Sequence, residues 1–492
     1  MFDLKEKTLK GVAWITFAQI IKQVLQYGIL IVLTRLLSPQ EFGLVAMIVV
    51  FTGFIEMFRE LGLGAALVQN QQVKDIHYTS VFWLNLVTGL VLTGLTFIAA
   101  PLIAMFYDEP RLTPLTSLVA VDFFITSLSI THGTILSRSM QFRLLAFVDI
   151  MAAGIAGAVA ITLAMTGYGV WSLIWRTLIN SIVETLILWR VSNWRPRWLF
   201  DRAAVTELLG FSSNLLAFNV LNYWVRNGDN LLIGKFIGTA ELGIYARGYS
   251  MMTLPISQVT QVLGRVMFPA LSTIQHDRAR VKEIYLRAVA MIALVTFPLM
   301  LGLFTVAEPF VLTVFGVKWV QLVPLLRIFS LLGMVQSITV TIGWVLQSQG
   351  RTDLMLRWRL TTGIILFGGF VMGVWIGTIE AVALIYVFIS GVVLPYPSFT
   401  FRSGLSGITF GDVVRSVTGV FVCAVTMASI VWAFGLLLPT NWFPWTYLVI
   451  KISLGITIYI ILLHTFGVAP YREATILLAK QLGQWRGVPA KS

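Results

Sequence analysis

Fourteen apolar runs follow one another along this chain with little between them. They lie near 11–36, 42–63, 79–106, 113–136, 147–166, 169–190, 208–235, 241–268, 286–306, 322–347, 358–377, 380–400, 413–437 and 445–467. A helix needs about 20 apolar residues to cross the hydrocarbon core of a bilayer. Inside that core the backbone finds no water, so a crossing segment must satisfy its own hydrogen bonds, and an α-helix does so. The expectation is an all-α polytopic membrane protein with about fourteen transmembrane helices. Composition agrees: charged residues make up 12% of the 492, about half the share found in a soluble domain. The first run is too long for a signal-peptide core and no small-residue cleavage site follows it, so it is read as a retained helix.

Turn signals separate the runs: Ser38-Pro39, Asp108-Glu109-Pro110, Gly167-Tyr168-Gly169, Gly238-Thr239, Gly377-Thr378 and Pro439-Thr440-Asn441. Basic residues set the orientation. Alternate loops hold 23 Lys and Arg against 4 in the others, which are Arg35, Arg111, Lys235 and Lys318. Both termini are therefore expected in the cytoplasm, and the helix count is expected to be even. The net charge of +13 would suggest nucleic acid in a soluble protein. Here it suits cytoplasmic loops held against anionic lipid, and no nucleic-acid partner is expected. The single cysteine, Cys423, excludes an intrachain disulfide and a cysteine metal site. Its apolar surroundings suit a buried structural thiol.

The runs also repeat. With an offset of 200, Gly28 falls on Gly228, Arg35 on Lys235, Glu41 on Glu241, Gly43 on Gly243 and Ala46 on Ala246. With a slightly larger offset, Pro114-Leu115 matches Pro324-Leu325, and Ala100-Pro101-Leu102 resembles Glu308-Pro309-Phe310. Two six-helix lobes follow. Six is even, so both enter the membrane from the same side, and their pseudo-two-fold axis runs along the membrane normal. The expected organisation is an N-terminal lobe over 1–191, a cytoplasmic linker over 192–204, a C-terminal lobe over 205–403, two additional helices over 404–469 and a cytoplasmic tail over 470–492. Within the tail, 470–487 suits a short amphipathic helix on the inner leaflet, or equally a solvated end.

A charge at mid-membrane costs about 2.5–3.5 kcal/mol on insertion scales, so it pairs, faces a wet interior or does work. The first helix carries Gln19, Lys22, Gln23 and Gln26. The seventh carries Asn219, Asn222, Arg226 and Asp229. Spacings of three and four put each set on one helix face. Positions 19, 22 and 26 fall on 219, 222 and 226. Two matching polar stripes are best satisfied across a water-accessible cavity. Lys22, Arg176, Arg226 and Arg247 are the candidate cavity cations, and Asp229, Glu56 and Asp122 the candidate pairing or ion-coupling acids. A surplus of cations would imply an anionic substrate. The plainer readings stand beside these. Arg226 and Asp229, three apart, make a simple ion pair. Arg59, Glu60 and Arg265 suit snorkelling interface charges, and a lone histidine such as His132 is more often structural. The sequence has no phosphate-binding P-loop and no H-E-x-x-H, and its four histidines are scattered. The expectation is no metal and no cofactor beyond a proton or sodium gradient.

The turn Thr34-Arg35-Leu36-Leu37-Ser38-Pro39-Gln40-Glu41-Phe42-Gly43 resembles the polysaccharide exporters of the multidrug/oligosaccharidyl-lipid/polysaccharide (MOP) flippase superfamily. Arg59-Glu60-Leu61-Gly62-Leu63-Gly64-Ala65-Ala66-Leu67-Val68-Gln69 and Ala240-Glu241-Leu242-Gly243-Ile244-Tyr245 carry the same resemblance. It covers essentially the whole chain and is strongest to the Wzx-like branch with its colanic-acid-type exporters. The resemblance implies an alternating-access flippase and not an enzyme. Its substrate would be a lipid-linked oligosaccharide, usually on undecaprenyl pyrophosphate, moved across the bacterial inner membrane for surface polysaccharide. It also implies membrane lipid and other polysaccharide-assembly proteins as partners, and a pyrophosphate or acidic sugar held by Lys22, Arg176, Arg226 and Arg247. A drug or small-cation antiporter of the same superfamily predicts an acidic cavity instead. A glycan polymerase predicts a large extracytoplasmic loop, which the short outer loops do not supply.

Overall fold

The computed structural model describes residues 2–59, 64, 67, 73–209, 213–399, 407–439 and 442–476. Regular structure among them is helical. In chain order the helices are α1 (Phe2–Leu36), α2 (Pro39–Glu56), α3 (Asp75–Tyr107), α4 (Leu112–Ser127), α5 (Ile130–Arg138), α6 (Phe142–Met165), α7 (Val170–Val191), α8 (Arg202–Leu209) and α9 (Ser213–Phe236). They continue with α10 (Thr239–Thr273), α11 (Arg278–Val314), α12 (Leu322–Thr339), α13 (Ile342–Ser348), α14 (Thr352–Ile376), α15 (Ile379–Phe388), α16 (Phe410–Leu437) and α17 (Pro444–Thr465). A π-helical turn, Ile389–Val393, extends α15.

Each of the fourteen expected runs has its helical segment. Eight spans are long and apolar enough to cross a membrane unaided, and the bent pair α4–α5 makes a ninth among the described residues. The long helices α1, α7, α9 and α10 are absent from that set, because they carry the polar and charged side chains. The part of the second run beyond residue 59 lies largely outside the described residues. So does 477–487 of the expected tail helix.

Two runs expected to be continuous are broken at matching places. The fourth divides between Ser127 and Ile130, with a bend of 41°. The tenth divides between Thr339 and Ile342. Neither break holds a proline. Hydroxyls bond back to the chain at both: Ser127 Oγ donates to Phe124 O at 2.7 Å, Ser129 Oγ to Thr126 O at 2.9 Å, and Thr341 Oγ1 to Ile338 O at 2.6 Å. Such back-bonding competes with the helix ladder and bends it.

The chain forms two compact units, Met1–Gly243 and Ile244–Ser492. In the first, α6 packs between α1 and α7, and α4 between α3 and α7. Small residues allow this. Ala152, Ala156, Gly157 and Ala160 are buried along α6, and a Cβ on Gly157 would overlap the Ile29 side chain. Close backbone approach of this kind is how helices associate in lipid, where the solvent offers no hydrophobic drive.

The second unit is built around α11, which touches α12, α16 and α17. Val289, Phe297, Val420, Ala424, Met427 and Tyr459 share one core cluster. Pro298 lies inside α11, and a helical proline leaves the carbonyl four residues earlier without its donor. That carbonyl is Leu294 O. The Tyr459 hydroxyl of α17 donates to it at 3.0 Å. The last helix therefore docks where a proline has exposed the backbone of α11. At the other end of α11, Lys282 pairs with Asp412 of α16 at 2.7 Å, and Arg287 pairs with Glu473. Cys423 is a free thiol, 1% exposed, in this core.

Candidate functional site

In the first unit, charged side chains of α1, the end of α2 and the turn after it, α4, α6 and α7 come together. Lys22 of α1 binds Asp149 of α6 at 2.7 Å. Their side chains are 28% and 40% exposed, so the pair reaches water. Glu184 of α7 lies within electrostatic reach of Lys22, Asp149, Arg59 and Asp122. Arg59, in the turn after α2, pairs with Glu56 at 3.1 Å. Asp122 of α4 accepts a long 3.3 Å bond from Thr126 Oγ1, and Ser181 of α7 stands beside the same carboxylate. Its Oδ1 is buried without a hydrogen-bond partner among the described residues. Arg176 is half-buried on α7, two turns before Glu184. The cluster is thus Lys22 and Arg59 set among Glu56, Asp122, Asp149 and Glu184. The first-helix stripe surrounds Lys22: Gln23 and Gln26 are half-buried and Gln19 is exposed.

The second stripe lies on α9. Asp229 is 3% exposed and its Oδ1 accepts the Asn230 N–H at 2.8 Å. Arg226 is exposed and Asn222 half-buried; the side chain of Asn219 lies outside the described residues. One turn away, the Tyr223 hydroxyl donates to Val50 O at 2.7 Å and approaches Val49 O at 3.0 Å. Gly53 makes room for it: a Cβ there would lie 2.7 Å from the hydroxyl. Trp224 packs on Phe54 with ring centroids 5.2 Å apart. These contacts seat α9 on α2. Arg247 belongs to the second unit, half-buried on α10.

The repeated turns meet each other. A Cβ on Gly43 would overlap the Thr239 carbonyl, and a Cβ on Gly243 would overlap the Pro39 carbonyl. Residues 43 and 243, and residues 39 and 239, are the same positions of the repeat, so the contact is reciprocal. Glu41 braces its turn by accepting from the Ser38 N–H at 2.6 Å and the Ser38 hydroxyl at 3.0 Å. Lys235 at the end of α9 pairs with Asp108 at the end of α3, at 2.5 Å.

Asp149 escaped the sequence reading, although an acid inside an apolar run was the available signal. His132 is fully buried, with its ring centroid 4.7 Å from Trp189 and 5.3 Å from Trp194. That is a packing role. Among the described residues no group of three His, Cys, Asp or Glu side chains is placed to hold a metal.

Residues 32–324, a stretch that takes in both repeated turns, match the family model described as polysaccharide biosynthesis protein. This chain belongs to the polysaccharide biosynthesis protein family. Within reach of the family, it is 28% identical over 397 residues to the teichuronic acid biosynthesis protein TuaB of Bacillus subtilis (strain 168), covering 80% of this chain and 82% of TuaB. It is 26% identical over 381 residues to the lipopolysaccharide biosynthesis protein WzxC of Escherichia coli (strain K12), covering 75% and 76%. It is 26% identical over 408 residues to the succinoglycan biosynthesis transport protein ExoT of Rhizobium meliloti (strain 1021), covering 80% and 82%. Among solved structures, the lipid II flippase MurJ in an inward closed conformation is similar with a TM-score of 0.74 at 16% identity, over 94% of this chain and 99% of that one. An inward-facing multidrug resistance MATE transporter of the MOP superfamily is similar with a TM-score of 0.61 at 14% identity, over 84% and 98%. At these identities the likeness is one of fold. The all-α polytopic architecture expected from the sequence is the one observed.

Proposed function

We propose that this chain moves a lipid-linked glycan across the bacterial inner membrane by alternating access, with both termini in the cytoplasm and no covalent step. The observation that carries this reading is the Lys22–Asp149 pair, a partly wet ion pair inside a family member with a flippase-like fold. With no substrate, Asp149 neutralises Lys22. A pyrophosphate carries more charge than one carboxylate and offers more acceptor oxygens, so it competes for the same ammonium. Once Lys22 turns to the substrate, Asp149 and Glu184 are left with excess negative charge. A proton or sodium ion entering there restores balance, and Asp122, with its unpartnered oxygen, stands in the same cluster. Arg176, Arg226 and Arg247 are the further cations proposed to follow the headgroup. The relatives' names support the glycan: they are proteins of teichuronic acid, lipopolysaccharide and succinoglycan biosynthesis.

A second reading, exchange of a cationic solute, is favoured by one observation: acids outnumber cations around Lys22 and Arg59. Complementation separates the two. A knockout strain receives wild type, Lys22→Ala or Arg226→Ala at matched membrane levels. Surface polysaccharide and lipid-linked intermediates are measured together. The glycan reading expects the knockout to lose surface polymer and accumulate lipid-linked units, with rescue by Lys22→Ala lower by about tenfold or more. Unchanged polymer together with lost efflux of small cations replaces it with the second reading.

A further inference from the structure

The second unit contains a cleft that the transport reading does not use. Helices α11, α16 and α17 enclose about 350 Å³ between Pro298, Gly302, Phe310, Met427, Lys451 and Ile460. Two polar side chains on its wall are satisfied by the protein itself. Thr305 Oγ1 donates to Gly302 O at 2.8 Å, and Tyr459 donates to Leu294 O at 3.0 Å. The other polar group on the wall is the Lys451 ammonium, which makes no hydrogen bond or close ion pair among the described residues. It rests on the bare face of Gly435, where a Cβ would lie 2.6 Å from Nζ. Glu308 and Arg327 lie within its electrostatic reach, and they are 3.9 Å from each other. Two cations therefore share one carboxylate.

The dimensions of the cleft decide what fits. From Pro298 to Phe310, α11 rises about 18 Å at 1.5 Å per residue. From Lys451 to Ile460, α17 rises about 14 Å. The hydrocarbon core is about 30 Å thick, so the cleft is about one leaflet deep. Its charged end lies where α11 finishes and α17 begins, at a membrane interface. Its deep end lies at Pro298 and Ile460, the latter five residues before the far end of α17. A polyprenyl tail is several times longer than one leaflet and would overrun the cleft. A phospholipid acyl chain would not.

We infer that this cleft holds one acyl chain of an anionic phospholipid, with the lipid phosphate on the Lys451 ammonium. Lysines near helix ends reach the interface in this way, and basic pockets between transmembrane helices suit anionic headgroups. The surplus positive charge at the mouth selects an anionic over a zwitterionic lipid. Neither the glycan nor the coupling ion enters this argument, so it stands or falls apart from the transport reading.

The test uses the purified full-length protein, stripped of lipid and titrated with phosphatidylglycerol or phosphatidylcholine of identical chains, with bound lipid counted by native mass spectrometry. Wild type is expected to retain one phosphatidylglycerol several-fold more strongly than phosphatidylcholine. Lys451→Gln removes that preference by removing the charge. Gly302→Leu removes it by filling the cleft, because a Cβ at Gly302 meets nothing within 4 Å and the leucine projects into open space. Arg415→Gln, at the opposite end of α16, leaves the preference intact. Equal retention of the two lipids by wild type overturns the inference. So does an unchanged preference in Lys451→Gln, or retention of polyprenyl phosphate in place of phosphatidylglycerol with the same dependence on Lys451.

Discussion

In the proposed mechanism Lys22 serves transport without holding the protein together. Its pair with Asp149 is partly exposed, and pairs that reach water contribute about 1 kcal/mol or less. Lys22→Ala should therefore lower the stability of purified protein by no more than about 1 kcal/mol while losing most export. Adding Asp149→Ala should return the stability but not the export. A double variant that regains export would show that the pair is merely structural. The acidic turn after α3 carries a different dependence. Arg111 donates to both oxygens of Glu109 at 2.8 Å, and this hydrogen bonding holds the Glu109 carboxyl below the usual carboxylate range. A pKa lowered in the fold stabilises the turn above the unfolded-chain value and loses that contribution as pH falls through the folded value. Acidification into that window should speed amide exchange at 108–112 relative to Arg111→Gln at the same pH. Identical profiles for the two proteins would refute it. Lys22 was legible in the sequence because a lysine among apolar residues is costly wherever it lies. Asp149 carries the same signal, an acid inside an apolar run, but its pairing with Lys22 was not legible, because a stripe on one helix says nothing about which residue of another helix faces it.

At the scale of elements, the echo of 200 residues was legible as a pattern, and its meaning was not. Glycines at 43 and 243 read as ordinary turn residues. Folded, each receives the other turn's carbonyl, because only a residue without a Cβ lets two backbones approach so closely. Gly43→Ala should cost about 1–3 kcal/mol through forced separation of the turns. Gly243→Ala should cost a similar amount. Once the turns have parted, the second methyl meets less resistance, so the double variant should cost clearly less than the sum of the two. Thermal unfolding of the four proteins gives the answer, and full additivity would mean that the two contacts are independent. The breaks in the fourth and tenth spans were hidden for a related reason. Serine and threonine read as neutral in an apolar run. Whether their hydroxyls bend the helix depends on which carbonyl they reach, and that is decided by packing.

For the whole molecule, periodicity and apolarity were enough to place fourteen helical segments, while α1, α7, α9 and α10 had to be placed despite their polar residues. Those four are the spans a hydropathy threshold passes over, since their charged and polar side chains lower the mean hydropathy of the helix. Orientation rests on charge alone, through the 23-to-4 distribution of Lys and Arg, and it can be read directly. Cys423 is 1% exposed, so the native thiol should stay silent toward a membrane-impermeant maleimide, and single cysteines can be introduced without a cysteine-free background. Lys318→Cys and Arg280→Cys replace exposed residues at opposite ends of α11. In intact cells Lys318→Cys should label and Arg280→Cys should not. After the inner membrane is permeabilised, both should label. Labelling of Arg280→Cys in intact cells would invert the topology. It would also reverse the side of the membrane from which the proposed glycan is loaded.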